Sequence, residues 1–356
     1  MKLGLVVGTR PNFVKAAAVH SALVRRGLEV DVLHTGQHFD EALSDSFFRG
    51  LELPAPRVNL GIGPGSRASQ FGDIVRALGE YLPASGLDEL IVVGDVTSTA
   101  AAAVAADACD LPVAHVEAGL RSFDLAMPEE RNRRVVDALA VRHFVSEPAG
   151  VENLRREGHA GEQVHLVGNV MIDTLLRFRD EALRREPWRA LGVERGRYAI
   201  ATLHRPSNVD SRAALAESLE VLRLAAVSGP LLFSVHPRTT QRLAAHGLAL
   251  PANLRALPPQ DYLAFIGLMA GARVVLTDSG GAQEESTVLR VPCLTMRENT
   301  ERPITVTAGT SRLIGRSADA ARRHLDEIAS GAYDLGPGVP LWDGLASERI
   351  AEILAR

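Results

Sequence analysis

The chain alternates, almost from end to end, between short runs rich in aliphatic and β-branched residues and longer stretches with helical spacing. In the first half the short runs are "LGLVV", "EVDVLH", "ELIVVG", "PVAHV", "RHFVS" and "QVHLV". Between them, "PNFVKAAAVHSALVRRG" and "TSTAAAAVAADACD" read as helices, the first with Pro11 near its start and Gly27 at its end, the usual asymmetry of helix boundaries. Regular β-α repetition predicts a parallel sheet with helices on both faces. After "VGNVMIDTLLRFRDEALRREPW" the pattern restarts with "RYAIATLH", "GPLLFSVH", "NLRAL", "ARVVLTD" and "VPCLTM". The expectation is an α/β protein of two doubly wound, Rossmann-like domains, 1–168 plus 344–356 and 169–343, facing a cleft between the carboxyl ends of their strands.

Composition narrows the function more than the fold. With 356 residues, 46% hydrophobic and 23% charged, the chain has enough apolar material for two cores. A formal charge of -4 gives no global attraction to nucleic acid or anionic lipid, so any anion site is local and neither partner is expected. No run approaches the ~18 apolar residues of a membrane span, and "MKLGLVVGTR" is too short for a signal segment, so a cytoplasmic protein is expected. Cys109 and Cys293 sit in apolar settings without disulfide or metal-ligand spacing. Gly63, Gly65 and Ala68 fit G-x-G-x-x-A, but Pro64 interrupts them and they do not follow the first strand, so no nicotinamide cofactor is expected.

Polar and charged residues recur where strands end: Arg10 in "GTRPN", "TGQH" with Gln37, Asp95 in "VVGDVTST", Glu117 in "HVEAGLRS", His204 in "ATLHRPSN", His236 in "SVHPRT" and Asp278 in "LTDSGG". In a doubly wound fold such positions converge on one crevice. Taken singly, Asp95 could cap the next helix and His204 could be a structural histidine. In "TDSGGAQEES", Ser279, Gly280 and Gly281 would let backbone N–H groups at a helix start face a diphosphate. Glu285, about one turn on, could accept from two ribose hydroxyls, or merely compensate the helix dipole. Arg10 and Arg302 offer forked contacts to phosphate. Gln260 and Phe265 in "PPQDYLAF" could read and stack a uracil ring. Together these features point to a uridine diphosphate sugar.

Over essentially the whole chain these motifs resemble the non-hydrolysing UDP-N-acetylglucosamine 2-epimerases. "GTRPN", "TGQH", "GDVTST", "HVEAGLRS", "MPEERNR", "GNVMIDTL", "LHRPSN", "PQDYL", "TDSGGAQEE" and "RENTERP" occur in that family's order. The resemblance implies the two-domain GT-B architecture, a homodimer, and no metal or NAD. It implies a catalytic group of Arg10, Lys15, Asp95, Glu117, Glu129 and His204. It also implies a UDP site of Gln260, Phe265, Ser279, Gly280, Glu285 and Arg302, and a possible allosteric site for a second UDP-sugar near Gln37, Gln70 and His236. Asn12 where glutamate is common, "HRPSN" in place of "HRRE", and a short segment from Arg121 to Pro128 depart from the family pattern.

Without NAD, inversion at C2 of the sugar is best served by anti elimination of UDP to a 2-acetamidoglucal and re-addition, which needs two acid-base groups. Asp95, Glu117 and Glu129 form the candidate set, with Arg10, Lys15 and His204 holding the departing diphosphate. The alternatives are an epimerase of a UDP-2,3-diacetamido sugar, a GT-B glycosyltransferase, a hydrolysing epimerase, and a non-catalytic UDP-sugar sensor. "GGAQEE" takes no part in an E-x7-E pair like that of many retaining glycosyltransferases, and "GTRPN" differs from the "GTRAE" of hydrolysing epimerases.

Overall fold

The computed structural model describes residues 1–36, 50–258 and 260–356, and of Arg10 only the backbone. The chain divides into two compact units, Met1–Thr174 with Pro340–Arg356, and Leu175–Val339.

In the first unit the apolar runs become β1 (Lys2–Val7), β2 (Glu29–His34), β3 (Val58–Asn59), β4 (Glu89–Val93), β5 (Val113–Ala118), β6 (Arg142–Val145) and β7 (Val164–Leu166). They form one parallel sheet in the order β3-β2-β1-β4-β5-β6-β7. In the second unit β8 (Ala199–Thr202), β9 (Leu231–Ser234), β10 (Leu254–Leu257), β11 (Val274–Thr277), β12 (Cys293–Thr295) and β13 (Ser311–Leu313) form a parallel sheet in the order β10-β9-β8-β11-β12-β13. Each is therefore Rossmann-like, with strand order reversing between β1 and β4 and between β8 and β11.

The central strands, such as β4 and β11, are buried, largely apolar runs because both faces of each sheet are covered there. Leu90 and Val92 of β4 join a cluster with Ile74 and Leu78 of helix Arg67–Tyr81 and the alanines of helix Thr97–Asp107. Those alanines, buried from Ala100 to Ala103, let this helix lie close to its neighbours. Helix Arg10–Arg25 packs instead against helix Ala346–Leu354. In the second unit Ala199 and Ala201 of β8 face a cluster with helix Arg212–Ala225, while Ile200 faces Trp188 and Tyr198.

The chain leaves the first unit inside helix Val170–Arg184. Its first turn is fastened there: the Thr174 hydroxyl donates to the Val14 carbonyl at 2.7 Å, and buried Asp173 accepts from the N–H groups of Ala346 and Ser347 and from the Ser347 hydroxyl. No helix among the described residues is long and apolar enough to cross a membrane.

Candidate active site

In the first unit the loops after β1, β4 and β5 carry the candidate residues. After β1, Gly8 has no room for a side chain, since a Cβ would come 2.5 Å from Thr35 Oγ1. Asn12, in the first turn of the following helix, accepts from the Thr9 N–H at 3.2 Å and the Thr9 hydroxyl at 3.0 Å. Its amide donates to the Val93 carbonyl at 2.8 Å, tying this turn to the end of β4. The departure at Asn12 is thus a helix-start fastener. Lys15, one turn on, is buried with its ammonium paired to Glu117. Arg10 is the first residue of the helix, and its side chain lies outside the described residues.

Glu117 sits at a register irregularity between Val116 and Ala118 of β5, with φ +75°. Left-handed backbone is uncommon for such a residue and persists only where its surroundings fix it. Asp95 follows Gly94 after β4; Arg133 Nε donates to its Oδ2 at 2.9 Å, and Arg133 Nη2 forms an ion pair with the same oxygen at 2.7 Å. Asp95 does not cap the next helix, whose N-cap position is Val96. Asn132 donates to the Asp95 carbonyl at 2.7 Å, and Arg133 also meets Glu130 at 2.7 Å. Buried Glu130 accepts from the Ser122 N–H and hydroxyl and from the Phe123 N–H, so it fastens the segment before its helix. Glu129 beside it is only half-buried, in the first turn of helix Pro128–Leu139. Gln70 donates to the Gly63 carbonyl at 3.1 Å, within the glycine-rich loop, and Gln37 lies outside the described residues.

In the second unit the loops after β8 and β11 meet. Fully buried Asp278 accepts from the N–H groups of His204 and Arg205 at 3.1 and 2.9 Å, from the Asn208 amide at 3.0 Å, and lies 3.0 Å from His204 Nδ1. Burial pushes its carboxyl up, but His204 and the other donors hold it below the usual range. His204 is thereby anchored on one side of its ring and remains 33% exposed. His236 Nδ1 accepts from the Arg238 N–H at 3.2 Å at the start of helix Pro237–His246, with its ring 5.6 Å from that of His204.

Helix Gly280–Leu289 begins after Ser279 and half-buried Gly281 is its second residue. Gly280 lies against Arg302, where a Cβ would come 2.9 Å from Cζ. Arg302 is held by Glu284 and, at 2.7 Å, by Glu301. Glu301 also meets Arg297 at 2.7 Å and Arg205 at 3.6 Å, so three guanidinium groups gather around one carboxylate. Glu285 lies beyond the first turn, which contains no acidic residue, and so does not serve the helix dipole. Burial and the adjacent Glu284 charge push its carboxyl up to about 8, against a hydrogen bond with Tyr262. Gln260 donates to the Pro258 carbonyl at 2.7 Å just before helix Tyr262–Ala270. Phe265 on that helix is half-buried against the cluster of Trp188 and Tyr198.

The structure therefore brings Lys15 to Glu117 in the first unit and His204 to Asp278, and Gly280 to Arg302, in the second. Sequence reasoning missed Arg133, Glu130, Glu284 and Glu301, which hold the candidates rather than stand among them. For Arg133, Glu130 and Glu301 the signal was the charge density of "EERNRR" and "RENTER", and for Glu284 the paired glutamates of "AQEES", too ionic for burial unless internally paired.

A family model for UDP-N-acetylglucosamine 2-epimerase matches residues 21–355. The UDP-N-acetylglucosamine 2-epimerase of Methanocaldococcus jannaschii is 36% identical over 363 residues, covering 99% of each chain. The UDP-2,3-diacetamido-2,3-dideoxy-D-glucuronate 2-epimerase of Pseudomonas aeruginosa is 35% identical over 364 residues, covering 100% of each. The crystal structure of the M. jannaschii UDP-GlcNAc 2-epimerase in complex with UDP-GlcNAc and UDP superposes with a TM-score of 0.90 at 35% identity, covering 99% of each chain. With its two Rossmann-like sheets and a match along nearly its whole length, the chain belongs to the UDP-N-acetylglucosamine 2-epimerase family.

Proposed function

We propose that this protein interconverts UDP-GlcNAc and UDP-ManNAc by anti elimination of UDP and re-addition. The observation that carries it is the pair of carboxylates beside the switch point of the first sheet, Glu117 facing Lys15 and Asp95 facing Arg133. Inversion at C2 requires a base on one face of the sugar and an acid on the other. In the first step the C2–H bond breaks, its electron pair forms the C1=C2 bond, and the C1–O pair leaves with UDP. In the second the UDP oxygen adds back to C1 while a proton reaches the opposite face of C2. Electrons balance without a hydride carrier. The two proton transfers fall within the set Asp95, Glu117 and Glu129. Proton uptake by Glu117 removes the negative charge that Lys15 faces, so the ammonium turns to the charge developing on the departing diphosphate.

On this reading the UDP group is held by Arg10, His204 and Arg302 at its phosphates, with the helix start at Ser279, Gly280 and Gly281. Glu285 takes the ribose, and Gln260 and Phe265 the uracil. A homodimer and a cytoplasmic location for this nucleotide-sugar chemistry complete the proposal, and light scattering tests the first. A second UDP-GlcNAc acting through Gln37, Gln70 and His236 would show as sigmoidal kinetics abolished by His236→Ala. A second substrate, a UDP-2,3-diacetamido sugar, is favoured by the P. aeruginosa relative and needs the same chemistry at C2.

The test is incubation of the purified protein with UDP-GlcNAc in D2O, followed by proton NMR. UDP-ManNAc carrying deuterium at C2 is the expected product. Free ManNAc with UDP would instead make the protein a hydrolase, and turnover of the diacetamido substrate alone would establish the second reading.

A further inference from the structure

Behind the two reacting carboxylates lies a buried polar group that the chemistry above does not use. Asp137, on helix Pro128–Leu139, and His115, on β5, are both 0% exposed. Asp137 Oδ1 is 2.6 Å from His115 Nδ1. Its Oδ2 accepts from the Gly119 N–H at 3.1 Å and pairs with Arg121 Nη2 at 2.7 Å. One carboxylate thus grips the chain at 115 and 119, on either side of Glu117. Both Glu117 and Gly119 have left-handed backbone, φ +75° and +78°. The Gly119 backbone presses on Gly150, where a Cβ would come 2.8 Å from the carbonyl carbon, and its own carbonyl accepts from Asn153 at 2.9 Å. On the other side of the imidazole, Nε2 lies 2.9 Å from the carbonyl of Gly94, the residue before Asp95.

We propose that Asp137 and His115 are positioning residues that set Glu117 and Asp95 relative to each other, with His115 held as a doubly protonated imidazolium. A carbonyl oxygen only accepts, so Nε2 carries a proton. Asp137 receives two donors on Oδ2, one of them a guanidinium, and stands as a carboxylate, so Nδ1 carries a proton as well. Among the described residues, the charged and titratable groups packed around this pair include Arg121, shared with Glu157 at 2.5 Å, and His143, whose Nε2 lies 2.9 Å from the Asp137 carbonyl and whose ring lies 4.6 Å from that of His159. The buried cation is therefore matched by a buried anion, and its two N–H groups tie β5 to helix Pro128–Leu139 at Asp137 and to the Asp95 loop at Gly94. The inference rests on Asp95 and Glu117 being the groups that move the C2 proton.

The test compares wild type with His115→Gln and Asp137→Asn, using UDP-GlcNAc and its C2-deuterated form. Positioning predicts a kcat lowered about 100-fold with KM changed little, because small misplacements of reacting groups cost on that order. It also predicts a larger primary deuterium isotope effect as proton removal becomes rate-limiting. Loss of folded protein would lower kcat with the isotope effect unchanged, and that outcome, or a kcat within twofold of wild type, overturns the positioning role. Independently, nitrogen-15 NMR of histidine-labelled wild type should show one ring with two slowly exchanging N–H protons, absent from His115→Gln; a single N–H overturns the imidazolium. Wild type that never epimerises a UDP-sugar overturns the functional reading and the positioning role with it, while the ring signal still decides the protonation state.

Discussion

Glu285 shows how the surroundings of one residue set its chemistry. Its carboxyl stands at about 8 in the folded protein against 4.5 ordinarily, so the neutral form contributes stability that is fully present below 4.5 and is lost as pH rises through about 8. The melting temperature of the wild type relative to Glu285→Gln should therefore fall between about pH 5 and pH 9. A pH-independent difference would contradict the assignment. If ribose hydroxyls donate to the ionised carboxylate, UDP binding at neutral pH releases a proton. Calorimetry in buffers of different ionisation enthalpy should detect that release in wild type and lose it in Glu285→Gln. Asp95→Asn and Glu117→Gln should each lower kcat by about 10²–10⁴-fold, the usual contribution of a general acid or base, with the fold intact by circular dichroism. The residues at strand ends were legible because their chemistry faces a ligand and recurs in short motifs. Arg133, Asp137 and Glu301 were not, because they face other side chains, and which ionic residues pair in a core depends on tertiary contacts.

At the scale of elements, buried parallel strands announce themselves as apolar runs, and eleven such runs were read directly. Val58–Asn59 and Ser311–Leu313 escaped because they are edge strands of two and three residues, partly polar and without a run to notice. The turn into helix Arg10–Arg25 was legible as a strand-to-helix junction, yet its ties to Val93 and Glu117 reach across about 80 and 100 residues and carry no local signature. At the start of helix Gly280–Leu289, the absence of a side chain lets Arg302 lie against the backbone. Gly280→Ala should displace that guanidinium and weaken UDP binding by about 1–3 kcal/mol, the usual cost of forcing a methyl into a filled space. Titration calorimetry with UDP checks this, and an unchanged affinity would remove Arg302 from the phosphate site.

At the scale of the whole chain, the first unit is assembled from two stretches separated by the entire second unit. Repeating β-α periods made both sheets visible in the sequence, but a boundary inside a continuous helix leaves no break in composition. What marks it is Asp173, whose carboxylate holds the start of helix Ala346–Leu354. Asp173→Ala should cost about 1–3 kcal/mol through the buried donors left unpaired. Amide exchange should then quicken in 346–354 and in the facing helix Arg10–Arg25, while the second sheet keeps its protection. This interleaving also governs birth at the ribosome. The residues that complete the first unit are translated only after all of the second, so the second sheet has its full sequence first and helix Arg10–Arg25 waits, apolar face uncovered, for a partner made more than 300 residues later. Chaperone demand during synthesis should fall on the amino-terminal segment, although it is the first to emerge.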